Sequence, residues 1–344
     1  MLCQFETSPR ALGGPSAMVV SSSIPVRSWT GFLEGAQAAN IFQSPALMEV
    51  YSRTRGYEPH VLAVEDATGI RALLACVFVT YASGPIARFA SRSLTVGGPL
   101  GDPLAFPDLL GALDSLAGQK TSMSQIRNLQ PPEDKNIFET AGYRWEDHIN
   151  YLIDLTQGQK ALLGKMSKAR RKGLRLAEQS RMEVHDLSSA AVEAAYGLLR
   201  ETHDRAKAPL APQVLFENAI SILAPRGQLW CLMASLSGSL CAVRFVLRWR
   251  DTLYDWYTGS SDDGRQHHAD ELLVWEILMR GMLEGCRTFD FGGAGPPGAA
   301  YGPAEFKRRF GGAMINPGRF ERVYRPLVIR ALRTGYKVGR KLAG

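Results

Sequence analysis

The sequence predicts an α/β protein of two successive domains, each a mixed twisted sheet flanked by helices. Three observations carry this. A chain of 344 residues suits two domains of ordinary size. The order helix, strand, turn, long strand, strand, glycine break runs through Pro45 to Gly98 and returns through Pro212 to Gly259, as a repeat of pattern and not of letters. An apolar helical stretch, Glu271 to Gly285, stands between two strand-like runs, as a crossover between parallel strands requires.

Taken in order, residues 1–25 read as a poorly ordered leader, with Met1 or Met18 as the start, because the apolar part of MVVSSSIPV is short and broken by serines. Residues 26–156 form the first domain. Phe32 to Arg55 is helical with a break at Ser44-Pro45, where Ser44 caps and Pro45 fits a first turn. His60–Val64 and Ile70–Tyr81 are strands about the turn Asp66–Gly69, and Ser91–Val96 is a third. Phe106–Ala117 has helical period, Met123–Leu129 is strand-like, Lys135–Ala141 is a short helix, and Arg144–Leu155 closes this half as one strand.

Residues 157–325 form the second domain, entered through a basic helix or helix pair from Lys160 to Arg181. Helices follow at Ser188–Arg205 and Pro212–Leu223, then strands at Leu229–Ala234, Leu240–Arg248 and Leu253–Gly259. A polar loop from Gly259 to Asp270 opens the crossover helix, and the strand at Thr288 follows it. Residues 326–344 are a basic C-terminal helix or tail, either lying on an anionic surface or fraying in solvent.

Composition narrows the function classes. With 45% hydrophobic residues the chain can bury sizeable cores, and no apolar run reaches the roughly 18 residues that span a bilayer. The five cysteines lack CxxC spacing, which argues against a zinc site or disulfide framework and fits a reducing, cytoplasmic compartment; a Cys231–Cys241 pair across a hairpin is the one disulfide to consider. No metal site is expected, since His267-His268 has no ligand partner at helical spacing.

The net charge of +7 is concentrated. Between Lys160 and Arg181, Lys168, Arg170, Arg171, Lys172 and Arg175 belong to a run of eight cations with one acid, Glu178. Such a run is either a solvated face or a surface for a polyanion: RNA phosphates, a diphosphate sugar or anionic lipid heads.

The most informative stretch is Thr288 to Gly312, TFDFGGAGPPGAAYGPAEFKRRFGG. Gly292 and Gly293 after a strand let backbone approach a ligand. Lys307, Arg308 and Arg309 then place three cations between Phe306 and Phe310, a plausible edge for an anion or a developing negative charge. The bland alternative is a glycine-rich loop closed by a basic turn, with the two phenylalanines as core plugs.

FDFGG followed by EFKRRFGG resembles the C-terminal signature of the FemABX-like peptidyltransferases, DFGG then FKxxFGG. NIFQSPALMEVYSRTRGY and SKARRKGLRLAEQSRMEV also resemble that family's opening segment and its linker into the second domain; the resemblance runs over roughly residues 30–325. It implies tandem GNAT-like (acyl-CoA N-acyltransferase) domains and an aminoacyltransferase that takes its amino acid from aminoacyl-tRNA. The acceptor implied is an amine of a peptidoglycan precursor or related small molecule, with no cofactor. Lys307 would stabilise the oxyanion or the terminal ribose, positioned by Phe306. Tyr257, in YTGS, would line the acceptor site, and Arg205, in THDR, would meet a substrate phosphate or carboxylate. Asp290 would orient an amine or cap backbone, and Arg308 adds a cation for substrate. The coiled-coil insertion of the wall-bridge enzymes is missing, so the chain resembles the compact members.

Two other readings stand beside this one. An acyl-CoA-dependent N-acyltransferase would use a coenzyme A thioester, although Asp262–His268 has two acids and one glycine where a pyrophosphate cradle would be. A non-catalytic basic scaffold would bind RNA or the inner membrane surface peripherally through Lys160–Arg181 and the tail.

Overall fold

The computed structural model describes residues 19–80, 91–298 and 302–330. They fall into two compact units, one running to Asp147 and resuming at Pro317, the other spanning His148–Asn316.

The first unit is built on an eight-stranded sheet. Strands β1 (Val19–Ser21), β2 (Tyr57–Asp66), β3 (Gly69–Thr80) and β4 (Ser91–Val96) pair antiparallel in succession, with the short β5 (Leu100–Gly101) paired to β3. Helices α1 (Val26–Gly35) and α2 (Pro45–Ser52) lie between β1 and β2; Ser44 caps α2 by accepting from Leu47 N, with Pro45 in the first turn as expected. Helix α3 (Phe106–Lys120) then carries the chain to β6 (Met123–Arg127), which joins β4 in parallel. Its apolar face buries Leu109, Leu110 and Leu113 against Leu74, Phe78 and Ile126, each leucine contributing roughly 1.5–3 kcal/mol. Helix α4 (Asn136–Thr140) and strand β7 (Arg144–Glu146) close this part of the sequence.

The second unit repeats the plan. Strand β8 (Asn150–Asp154) and helices α5 (Gly158–Lys165) and α6 (Lys168–Gln179) come first. After β9 (Glu183–Asp186), α7 (Val192–Arg205) and α8 (Gln213–Leu223), strands β10 (Leu229–Leu236), β11 (Ser239–Trp249) and β12 (Thr252–Ser260) form an antiparallel meander. The short helix α9 (Asp262–Gln266) and α10 (Ala269–Leu283) lead to β13 (Thr288–Gly293), which pairs parallel to β12. Helix α10 buries Leu272, Leu273, Val274, Trp275, Ile277 and Leu278, which is why its sequence is apolar nearly all round. Helix α11 (Gly302–Arg308) and strand β14 (Ala313–Ile315) complete a sheet of order β14-β8-β13-β12-β11-β10-β9.

The structure departs from the sequence reading at the edges of these units. Arg144–Leu155 is two strands: β7 pairs in the first sheet, whereas β8 pairs with β13 and β14 in the second, so the division falls near 147 and not 156. The segment β15 (Arg319–Val323) leaves the second unit and inserts between β6 and β7 of the first sheet. Val19–Ser21, inside the expected leader, pairs with Ala63–Glu65 as an edge strand. Residues 1–18 and 331–344, the rest of the leader and most of the basic tail, lie outside the described residues. Cys76, Cys231, Cys241 and Cys286 are buried free thiols; Cys231 faces Phe245 across the hairpin, so Cys241 is out of register for a bond to it. No helix among the described residues is long and apolar enough to cross a membrane.

Candidate functional site

The site forms where two parallel strands part. β12 and β13 pair only through Thr252↔Thr288, Leu253↔Phe289 and Tyr254↔Asp290. Beyond that point β12 follows β11 through a bulge, in which Phe245 faces Tyr257 and Val246 faces Asp255, leaving Trp256 as the extra residue. β13 shifts register against β8 between Asp290 and Gly293. Gly292 makes this turn at φ +68°, a left-handed conformation that disfavours any side chain.

Lys307, on α11, reaches into the gap. Its Nζ donates to the carbonyls of Phe291 at 2.6 Å, Gly293 at 2.9 Å and Gly292 at 3.2 Å. An ammonium has three protons, and each meets one of these oxygens. Burial pushes the Lys307 pKa below the ordinary lysine value, against the pull of the Asp255 and Asp290 carboxylates; Arg244 lowers it further. Asp290 lies beneath the turn, accepting from Asn150 Nδ2 at 2.6 Å and from the Gly292 N–H at 2.6 Å, and burial raises its pKa. Of its two expected roles the geometry displays the backbone cap, and its carboxylate also acts on Lys307.

Helix α11 is fixed from below by Arg170. This side chain is buried, donates to the Phe306 carbonyl at 3.2 Å, pairs with Glu271, and lies over the rings of Phe306 at 4.2 Å and Phe310 at 4.7 Å. The two rings are 5.3 Å apart and tilted, so the guanidinium lies against both in one cluster at the residue before Lys307. Gly311, at φ +80°, allows the next turn to approach the end of α5: a Cβ there would sit 2.4 Å from the Lys165 carbonyl.

Charges absent from the sequence reading complete the site. Arg244, fully buried on β11, pairs with Asp255 at 2.7 Å and with Asp270 at 3.6 Å. Three cations, Arg170, Arg244 and Lys307, are enclosed with four carboxylates, Asp255, Asp270, Glu271 and Asp290. One oxygen of Asp255 and the Nε of Arg244 are buried without a hydrogen-bond partner among the described residues. The available signal was a lone arginine in the apolar strand Cys241–Leu247, since a buried guanidinium requires acids nearby.

The other predicted residues divide. Tyr257 is half-buried near the end of β12, edge-on to Phe216 at 4.8 Å and Trp256 at 5.1 Å. Arg205, at the end of α7, donates to the Ser260 carbonyl at 3.0 Å and to Thr202 Oγ1 at 3.1 Å, so it clasps α7 to β12 while remaining partly exposed. Arg308 points outward and pairs with Glu305 at 2.7 Å, which also holds Arg309 and is itself acidified to a pKa of about 2 by these partners. Of the basic run, Arg170 is internal and Arg171 donates to the Leu163 and Met166 carbonyls at the end of α5. These two are withdrawn from the expected anion-binding face because they share the helical phase of the core or bridge to the preceding helix; Lys168, Lys172 and Arg175 stay exposed. His267 and His268 pair with Asp263 and Glu271, and no metal-ligating cluster occurs among the described residues.

Residues 162–308 match the family model of the acetyltransferase (GNAT) domain. The second unit is a GNAT-type acyltransferase domain. Solved structures extend the likeness. FemX superposes with a TM-score of 0.68 at 13% identity, covering 90% of this chain and 98% of its own. The C-terminal domain of a candidate lysylphosphatidylglycerol synthetase from Agrobacterium fabrum gives 0.56 at 16% identity, covering 90% and 94%. A tandem GNAT protein from the clavulanic acid biosynthesis pathway gives 0.56 at 10% identity, covering 87% and 94%. At these identities the likeness is one of fold, and it fits two GNAT-like units, each a mixed sheet with flanking helices. No curated protein sequence matches the chain.

Proposed function

We propose that this GNAT-fold acyltransferase is an aminoacyltransferase, moving an amino acid from aminoacyl-tRNA to an amine of a peptidoglycan precursor or related molecule. The observation that carries the reading is the Lys307 ammonium, held by the carbonyls of Phe291, Gly292 and Gly293 at the parting of β12 and β13. The fold likeness to FemX and to a lysylphosphatidylglycerol synthetase domain supports it.

An amino acid esterified to ribose is already activated, so the protein must orient the partners and stabilise charge. The amine attacks the ester carbonyl, a C–N bond forms, and the carbonyl oxygen becomes an oxyanion. On collapse the C–O bond to ribose breaks, and the proton lost by the amine ends on the ribose hydroxyl. Lys307 supplies a fixed positive charge to the oxyanion, exchanging one carbonyl partner for it. No covalent enzyme intermediate is needed. A coenzyme A donor fits less well, because the helix turn that follows β12, where a pyrophosphate cradle would be, opens on Asp262 and Asp263.

The test supplies purified protein with charged tRNA and an amine-bearing precursor and follows labelled amino acid into product. Lys307→Ala should lose about tenfold or more of the rate. Thermal stabilisation by coenzyme A but not by charged tRNA would move the reading to acyl-CoA transfer.

A further inference from the structure

Helix α6 has two opposite jobs. At 3.6 residues per turn, Lys168, Lys172 and Arg175 fall within an arc of about 60°, and Arg170 points roughly the other way with Leu174 and Ala177. The inward face holds Phe306, the neighbour of Lys307, through the Arg170 guanidinium. The outward three are exposed, and none forms an ion pair with an acid among the described residues. Several surface arginines of this unit do have acids: Arg308 and Arg309 pair with Glu305, and the partly exposed Arg280 with Asp186 and Glu284. A row of uncompensated cations on one helical face costs self-repulsion that a polyanion relieves.

We infer that the outward face of α6 — Lys168, Lys172 and Arg175 — is a docking surface for the phosphate backbone of an RNA helix. This rests on the aminoacyl-tRNA reading and adds where the RNA body is held. A helix with its side chains is about 10–12 Å across, so RNA on this face lies one helix thickness from the residues that hold Lys307. An anionic membrane fits less well. Surface helices bind bilayers by inserting an apolar face, but the apolar face of α6 is spent on the core, and Leu176 is its one large apolar residue in the open.

The experiment measures binding of an uncharged tRNA transcript to the full chain as salt is varied. It compares wild type with Lys168→Gln/Lys172→Gln/Arg175→Gln, and with vesicles containing anionic lipid as a second probe. The triple variant should keep its melting temperature, lose roughly tenfold or more in affinity at low salt, and show a log–log salt slope smaller by about two to three. An unchanged slope with an intact fold overturns the inference, as does loss of vesicle binding without loss of RNA binding. Because the RNA is uncharged, this result is independent of turnover: RNA docking without any transfer would refute the aminoacyltransferase reading alone, and transfer with an unaffected triple variant would refute the docking surface alone.

Discussion

Lys307 Nζ donates to the carbonyl of Phe291 at 2.6 Å, across the point where β13 leaves β12. The bond ties a cation on a helix to backbone whose strand partner has gone. Removing the ammonium leaves three carbonyls in need of partners, so Lys307→Ala should cost stability as well as rate. Lys307→Met separates the two, since it keeps the stem packed: its melting point should exceed that of the alanine variant, while labelled product remains as low. Equal turnover in wild type and Lys307→Met would remove the charge from the mechanism.

The same burial sets a pH dependence. The Lys307 pKa is lowered from 10.5, chiefly by desolvation. A lowered lysine pKa means the folded protein releases this proton earlier than the unfolded chain as pH rises, so the charge is lost at a pH below 10.5. The transfer rate should fall on the alkaline side before an ordinary lysine titrates, and that limb should be absent from the residual activity of Lys307→Met. A rate–pH profile in both proteins checks it.

Arg244 is a stability residue of the site. Its guanidinium is enclosed with Asp255 and Asp270. Removing one member of a buried ion pair leaves the others uncompensated and typically costs about 3–5 kcal/mol. Arg244→Ala should lower the denaturation midpoint by an amount of that order, whereas Arg308→Ala, on the exposed Glu305 pair, should change it by less than about 1 kcal/mol. Chemical denaturation of the two variants decides this.

Gly292→Ala tests the turn itself. A left-handed alanine costs roughly 1–2 kcal/mol, and relief of that strain would move a carbonyl from Lys307. The expected outcome is a small drop in melting temperature with a larger loss of turnover. Unchanged turnover would show that the carbonyl cradle tolerates distortion.

How much of this the sequence disclosed depends on the range of the forces involved. The strand, glycine turn and basic cluster at 288–312 were legible because turn chemistry and charge are written locally. So was the α10 crossover, whose apolar run needs no partner to be recognised. Arg170 was misplaced because a basic helix shows its period but not which side meets the core; its phase with Leu174 and Ala177, at i+4 and i+7, held the answer. Strand β15 was missed because RFERV pairs with residues nearly two hundred positions earlier, and nothing local specifies that register. For the same reason one run at 144–155 concealed two strands belonging to different sheets.

Strand β15 sits between β6 and β7, yet it is made after every residue of His148–Asn316. During synthesis the later-encoded unit therefore has its full set of strands first, and the earlier sheet waits with a gap between β6 and β7 until residues 319–323 clear the ribosome. A chain released short of Arg319 would carry a finished acyltransferase domain beside an open, adhesive sheet.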